Sequence, residues 1–123
     1  MSLYCIDKMI HYMKLNPAPF EMIKSGQKTI ELRLFDEKRQ LVKVGDRIVF
    51  TNTVTAATVN TEVVKLYRFD SFEALFRSLP LLKCGYTSEM LDEASSADMV
   101  KYYSVENQER YGVLGIEINL ILK

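Results

Sequence analysis

Apolar and polar side chains alternate from residue 29 to residue 34, with Ile30, Leu32 and Leu34 on one face and Thr29, Glu31 and Arg33 on the other. That is the period of a strand with one face in a core. A less regular alternation predicts a first strand over residues 10–15. Another is predicted over residues 47–52, with Ile48 and Phe50 sharing a face, after a turn at Val44-Gly45-Asp46. Residues 51–61, rich in Thr, Val and Ala, predict a hairpin turn near 53–57 and a long strand over about 58–67. The run 113–122 is apolar on both faces except at Glu117 and Asn119, which predicts a central strand that closes a barrel.

Helical spacing and capping residues fill the intervals. Asn16-Pro17 reads as an N-cap followed by proline at the first helical position, opening a short helix to about Ser25 with Phe20 and Ile23 inward and Gly26 as its stop. Asp70-Ser71 caps a second helix over 72–78, with Phe72, Leu75, Phe76 and Leu79 at helical spacing and Pro80 ending it. Leu81, Leu82 and Tyr86 predict that the connection 80–87 is packed down. Ser88 is expected to open a third helix with Met90, Leu91 and Ala94 on one side, which Ser95-Ser96 interrupt before residues 97–103. Ser104 caps one more helical stretch up to Tyr111, and no histidine stands beside it in sequence to make it a nucleophile. The fold class is α+β, a mixed β-barrel with peripheral helices.

At 123 residues the chain suits one core. Residues 10–123 are read as a single domain, and residues 1–9 as an N-terminal extension in which Met1-Ser2-Leu3 is an expression remnant. Sixteen basic residues balance 16 acidic ones, so no overall field draws the protein to duplex DNA. Locally the balance tips. From Lys24 to Arg47 seven basic residues face four acidic ones, and from Arg68 to Arg110 five basic face eight acidic. Cys5 and Cys84 have neither metal nor redox spacing, and with His11 as the only histidine there is no cluster for zinc. His11 is read as structural. No apolar run approaches membrane-spanning length and no signal peptide is evident, so a cytoplasmic protein without metal or cofactor is expected.

The candidate chemistry lies in Gly26-Gln27-Lys28-Thr29-Ile30-Glu31-Leu32-Arg33. Glu31 and Arg33 share a strand face, and Lys28 comes in from the helix end, where an ammonium is favoured as a charged anchor. Ser25 to Thr29 is not a phosphate loop, because its lysine follows a helix and begins a strand. Tyr102, Tyr103 and Tyr111 are candidates for stacking on an unpaired base, with Tyr103 and Tyr111 preferred because they flank the last helix-to-strand junction.

The pattern Gly-x-Lys-x-x-Glu-x-Arg resembles the signature of the ASCH domain family, small proteins with a PUA-like β-barrel. The resemblance extends to Leu15-Asn16-Pro17-Ala18-Pro19-Phe20, to Val44-Gly45-Asp46 and to Tyr111-Gly112-Val113-Leu114-Gly115-Ile116. It implies a nucleic-acid or nucleotide-related role, and together with the residues above it gives the expected partner as RNA or a nucleoside-type small molecule, bound by Lys28, Glu31, Arg33, Tyr103 and Tyr111. Some small members hydrolyse N4-acetylcytidine with the motif lysine, a threonine three residues later and a glutamate between helices, and others are ribonucleases. Lys28 matches the lysine and is the catalytic candidate if this is an enzyme. The threonine position holds Glu31, and residues 80–87 contain no carboxylate, which ranks hydrolysis below binding. A protein-interaction role stays open beside both.

Overall fold

The computed structural model describes residues 8–122, so Cys5 and the Met1-Ser2-Leu3 segment lie outside the described residues. Five strands, β1 (Ile10–Leu15), β2 (Ile30–Leu34), β3 (Arg47–Asn52), β4 (Thr58–Phe69) and β5 (Val113–Leu120), form one curled sheet in the order β1-β3-β4-β5-β2. β1 runs parallel to β3, and the other pairings are antiparallel. β4 carries a register shift between Val63 and Lys65, an irregularity of the kind that bends a sheet.

The last strand does lie inside the sheet, but it does not close a barrel. β5 pairs with β4 and β2, and the backbones of the edge strands β1 and β2 are not paired with each other. Helix α1 (Pro17–Lys24) joins these edges, and its Phe20 and Ile23 sit in one core with Met13, Leu15, Ile48, Phe50 and Ile116. Side chains thus fill the seam where backbone pairing would otherwise continue. The result is a half-barrel.

A second apolar cluster covers the other face of β2. Ile30, Leu32 and Leu34 pack there with Phe72, Leu75 and Leu79 from helix α2 (Phe72–Ser78) and its end, together with Val113. Gly115 of β5 makes this close packing possible, since a Cβ there would meet Leu79 Cδ1 at 2.9 Å. Ser71 and Ser104 cap α2 and α3 (Val105–Tyr111), each accepting a backbone N–H at 3.1 Å. Gln108 of α3 is buried, accepts from Phe72 N at 3.2 Å and donates to Tyr103 O at 3.1 Å, tying α3 to α2. Asn16 has extended N-cap dihedrals but makes no side-chain cap bond, and Thr53 Oγ1 donates to it at 3.4 Å instead.

No α-helix forms over residues 88–94. The region holds a 3-10 turn at Leu91–Glu93 and a 3-10 helix at Ser96–Lys101 that begins with a capping box between Ser95 and Asp98. Met90 and Leu91 are exposed, so this stretch buries no apolar stripe that would sustain an α-helix. The connection 80–87 is packed down in part: Cys84 is buried and Tyr86 lies edge-on to Phe76, but Leu82, expected inward, is exposed. His11 is engaged structurally. It pairs at 2.8 Å with Asp46, a buried carboxylate that also accepts from the backbone N–H groups of Met9 and Lys43 and so ties β1 to the start of β3.

Candidate functional site

α1 ends in Gly26, whose φ of 86° reverses the chain, and Lys28 N then donates to Met22 O at 2.9 Å. Thr29 N donates to Lys83 O and Thr29 O accepts from Ile118 N, both at 2.9 Å. This clips the motif between the packed 80–87 connection and β5. Lys28 is held on its other side by Gly85, where a Cβ would approach Lys28 Cδ to 3.3 Å.

Alternation along β2 turns Glu31 and Arg33 away from the α2 core and into the seam of the half-barrel. Glu31 is buried and divides its two oxygens: Oε1 meets Lys28 Nζ at 2.8 Å and Oε2 accepts from Arg33 Nε at 2.6 Å. Burial pushes the Glu31 carboxyl up, but the Lys28 and Arg33 charges prevail and hold it below the usual carboxylate range. Burial likewise works against the Arg33 charge, and Glu31 outweighs it. The triad carries two positive charges and one negative, leaving an excess of one positive.

Arg33 has a second task. Its Nη2 donates to Lys14 O at 2.9 Å, so its side chain bridges the unpaired edges β2 and β1. The guanidinium is positioned from both sides.

Above the triad opens a cleft of about 580 Å³. Its walls come from the end of β1 and the start of α1, from β2, and from the irregular 84–103 segment. Lys28, Glu31, Arg33 and Tyr103 all line it, so these four candidates share one site. Tyr111 does not line it; it packs against the α2 core with Arg110 over its ring at 5.0 Å. Tyr102, the candidate ranked below Tyr103 and Tyr111, does line the cleft and is exposed. Tyr103 stacks on Phe72 with ring centroids 5.6 Å apart, which fixes its plane.

The sequence reading also missed the apolar part of the lining, Met22, Met99 and Cys84 among it. No local pattern signals it, because these residues converge only through the fold. Burial pushes the Cys84 thiol up to about 11, so it stands protonated beside the triad. Among the described residues no three His, Cys, Asp or Glu side chains gather to hold a metal ion. No helix among them is long and apolar enough to cross a membrane.

A curled half-barrel of five strands with a few helices packed on it is the PUA-like architecture. Residues 13–122 match the ASCH domain model, and the chain belongs to the ASCH domain family. The crystal structure of the hypothetical protein PH0355 is similar, at 30% identity and a TM-score of 0.76 over 92% of this chain and 100% of that one. The solution structure of protein PF0455 from Pyrococcus furiosus follows at 28% identity and a TM-score of 0.71, covering 94% of this chain and 100% of its own. The ASCH protein from Zymomonas mobilis shares the fold at 12% identity and a TM-score of 0.62, over 89% of this chain and 66% of that protein. No curated protein matches this sequence significantly.

Proposed function

We propose that this ASCH domain binds RNA or a nucleoside-type ligand in the cleft above Glu31. The family is one for which RNA binding is often proposed. The observation that carries the reading is the buried triad: a carboxylate that compensates two cations from below leaves one net positive charge under a cleft with aromatic walls. Lys28 and Arg33 meet a phosphate or carbonyl oxygen of the ligand, Glu31 orders both and accepts from an exocyclic amine, and Tyr103 stacks on the base. Tyr102 replaces Tyr111 as the second aromatic contact, because it lines the cleft.

Hydrolysis is the weaker reading for this chain. Lys28 Nζ is engaged by the buried Glu31 carboxylate at 2.8 Å, whereas a nucleophile needs its amine free. The test is an NMR titration of the full chain with short single-stranded RNA, free nucleosides and N4-acetylcytidine, followed for hours. Shifts centred on Lys28, Glu31, Arg33 and Tyr103, weakened roughly tenfold or more in Lys28→Ala and Arg33→Ala, are expected. Equal binding by both variants would remove the site assignment, and acetate release lost in Lys28→Ala would make the protein an amidohydrolase.

A further inference from the structure

A second cavity of about 260 Å³ opens along β1, at the edge that carries no partner strand among the described residues. Ile10, His11 and Tyr12 form one wall, and Lys38, Arg39 and Leu41 from the turn after β2 form the other. Two cations line it, and no carboxylate does.

Two of the nearby acids are already engaged, while Glu37, next to Lys38 in the chain, is exposed and does not line the cavity. Asp36 accepts from Arg39 N at 3.1 Å and from Arg39 Nη1 at 3.2 Å, and Asp46 is paired with His11. Arg39 Nε is buried and meets no acceptor among the described residues. Buried N–H groups are rarely left unpaired, so this guanidinium retains capacity for an acceptor from outside the chain. Lys38 adds an exposed ammonium. Tyr12, 68% exposed, offers a ring face beside them.

This cavity and the main cleft are neighbours. β1 supplies Ile10 to Met13 to the first and Lys14 and Leu15 to the second. The Tyr103 hydroxyl in the cleft feels the charges of Arg33 and Arg39 as well as those of Glu31 and Asp36. The two cation pairs, Lys28 with Arg33 and Lys38 with Arg39, thus lie in cavities that share β1 as a wall.

We propose that the Lys38–Arg39 cavity is a second anion subsite, which holds the phosphate of the nucleotide adjoining the one in the cleft. The inference rests on the reading of the cleft given above and sharpens it: the ligand is a phosphate-bearing single strand of RNA, not a free nucleoside. The Arg39 guanidinium and the Lys38 ammonium meet phosphate oxygens, and Tyr12 stacks on the neighbouring base.

The experiment compares a ribotetranucleotide with the corresponding free nucleosides, titrated against the full chain and against Lys38→Gln, Arg39→Gln and the double variant. Lys38 is exposed, so its replacement tests the subsite without disturbing packing. Thermal melts check that Arg39→Gln stays folded. The expected result is roughly tenfold weaker tetranucleotide binding in the double variant, a salt slope shallower by about 0.7 for each lost phosphate contact, and unchanged nucleoside binding. Tetranucleotide affinity and salt slope equal to those of the parent would overturn the subsite. If Lys28→Ala still weakens both ligands in that case, the cleft reading survives its loss. A parent that binds neither ligand would overturn both, and equal losses for nucleoside and tetranucleotide would make Lys38 and Arg39 supports of the cleft, not a subsite.

Discussion

Glu31 is the residue on which the candidate site turns. It compensates Lys28 and Arg33 at once from a position buried in the seam. Replacing it by glutamine keeps the shape and removes the charge, leaving two cations facing each other. Breaking a buried pair by deleting one partner costs about 3–5 kcal/mol, and Glu31→Gln should lower unfolding stability by that order in urea titrations. The folded-state pKa of Glu31 is depressed from its ordinary 4.5, so its contribution is complete above that value and is lost as pH falls below it. Asp46, depressed from 3.8 because its bonds to His11, Met9 and Lys43 outweigh burial, acts in the same direction at lower pH. The parent should therefore lose stability from about pH 4.5 downward, and Glu31→Gln should show a shallower acid slope in the same urea titrations. An identical slope would mean that Glu31 is not ionised by its neighbours.

At the scale of elements, alternation in β2 was legible because it needs only nearest neighbours: Ile30, Leu32 and Leu34 found a core, and Glu31 and Arg33 went to the other side. The Ser71 and Ser104 caps were legible for the same reason. What sequence could not supply was direction at a distance. Tyr102, Tyr103 and Tyr111 are the same residue type within ten positions, and only the packing of α3 against α2 decides which of them reach the cleft. The bond from Arg33 to the Lys14 carbonyl was equally hidden, since its acceptor is backbone on another edge. The failed helix over 88–94 shows propensity without a surface to pack on. Gly115 illustrates the opposite case, a small residue whose role is space. Gly115→Ala would press a methyl group on Leu79 Cδ1 at 2.9 Å and on Ile30 Cγ2 at 3.4 Å. Overpacking of that kind costs about 1–3 kcal/mol, and a lowered melting temperature with an unchanged β-sheet spectrum is the expected result. An unchanged melting temperature would show that Leu79 yields freely.

For the whole molecule, zero net charge and a local basic excess make a specific forecast about salt. Binding that rests on Lys28, Arg33, Lys38 and Arg39 gives a log-affinity slope against log salt no steeper than about −3 for a single strand. Fluorescence anisotropy between about 50 and 200 mM salt should find that slope, with duplex of equal length bound more weakly. A steeper slope, or a preference for duplex, would point to a binding face outside the cleft.

Among the described residues the motif strand β2 has one partner in the sheet, and that partner is β5, the last strand described, paired from Ile30 with Glu117 to Leu34 with Val113. Glu31 and Arg33 are thus translated early and positioned late. During synthesis, the strand that carries them has nothing to register against until the far end of the domain has emerged from the ribosome. A growing chain therefore presents no assembled triad, and Glu31 and Arg33 reach their places only on completion of the sheet.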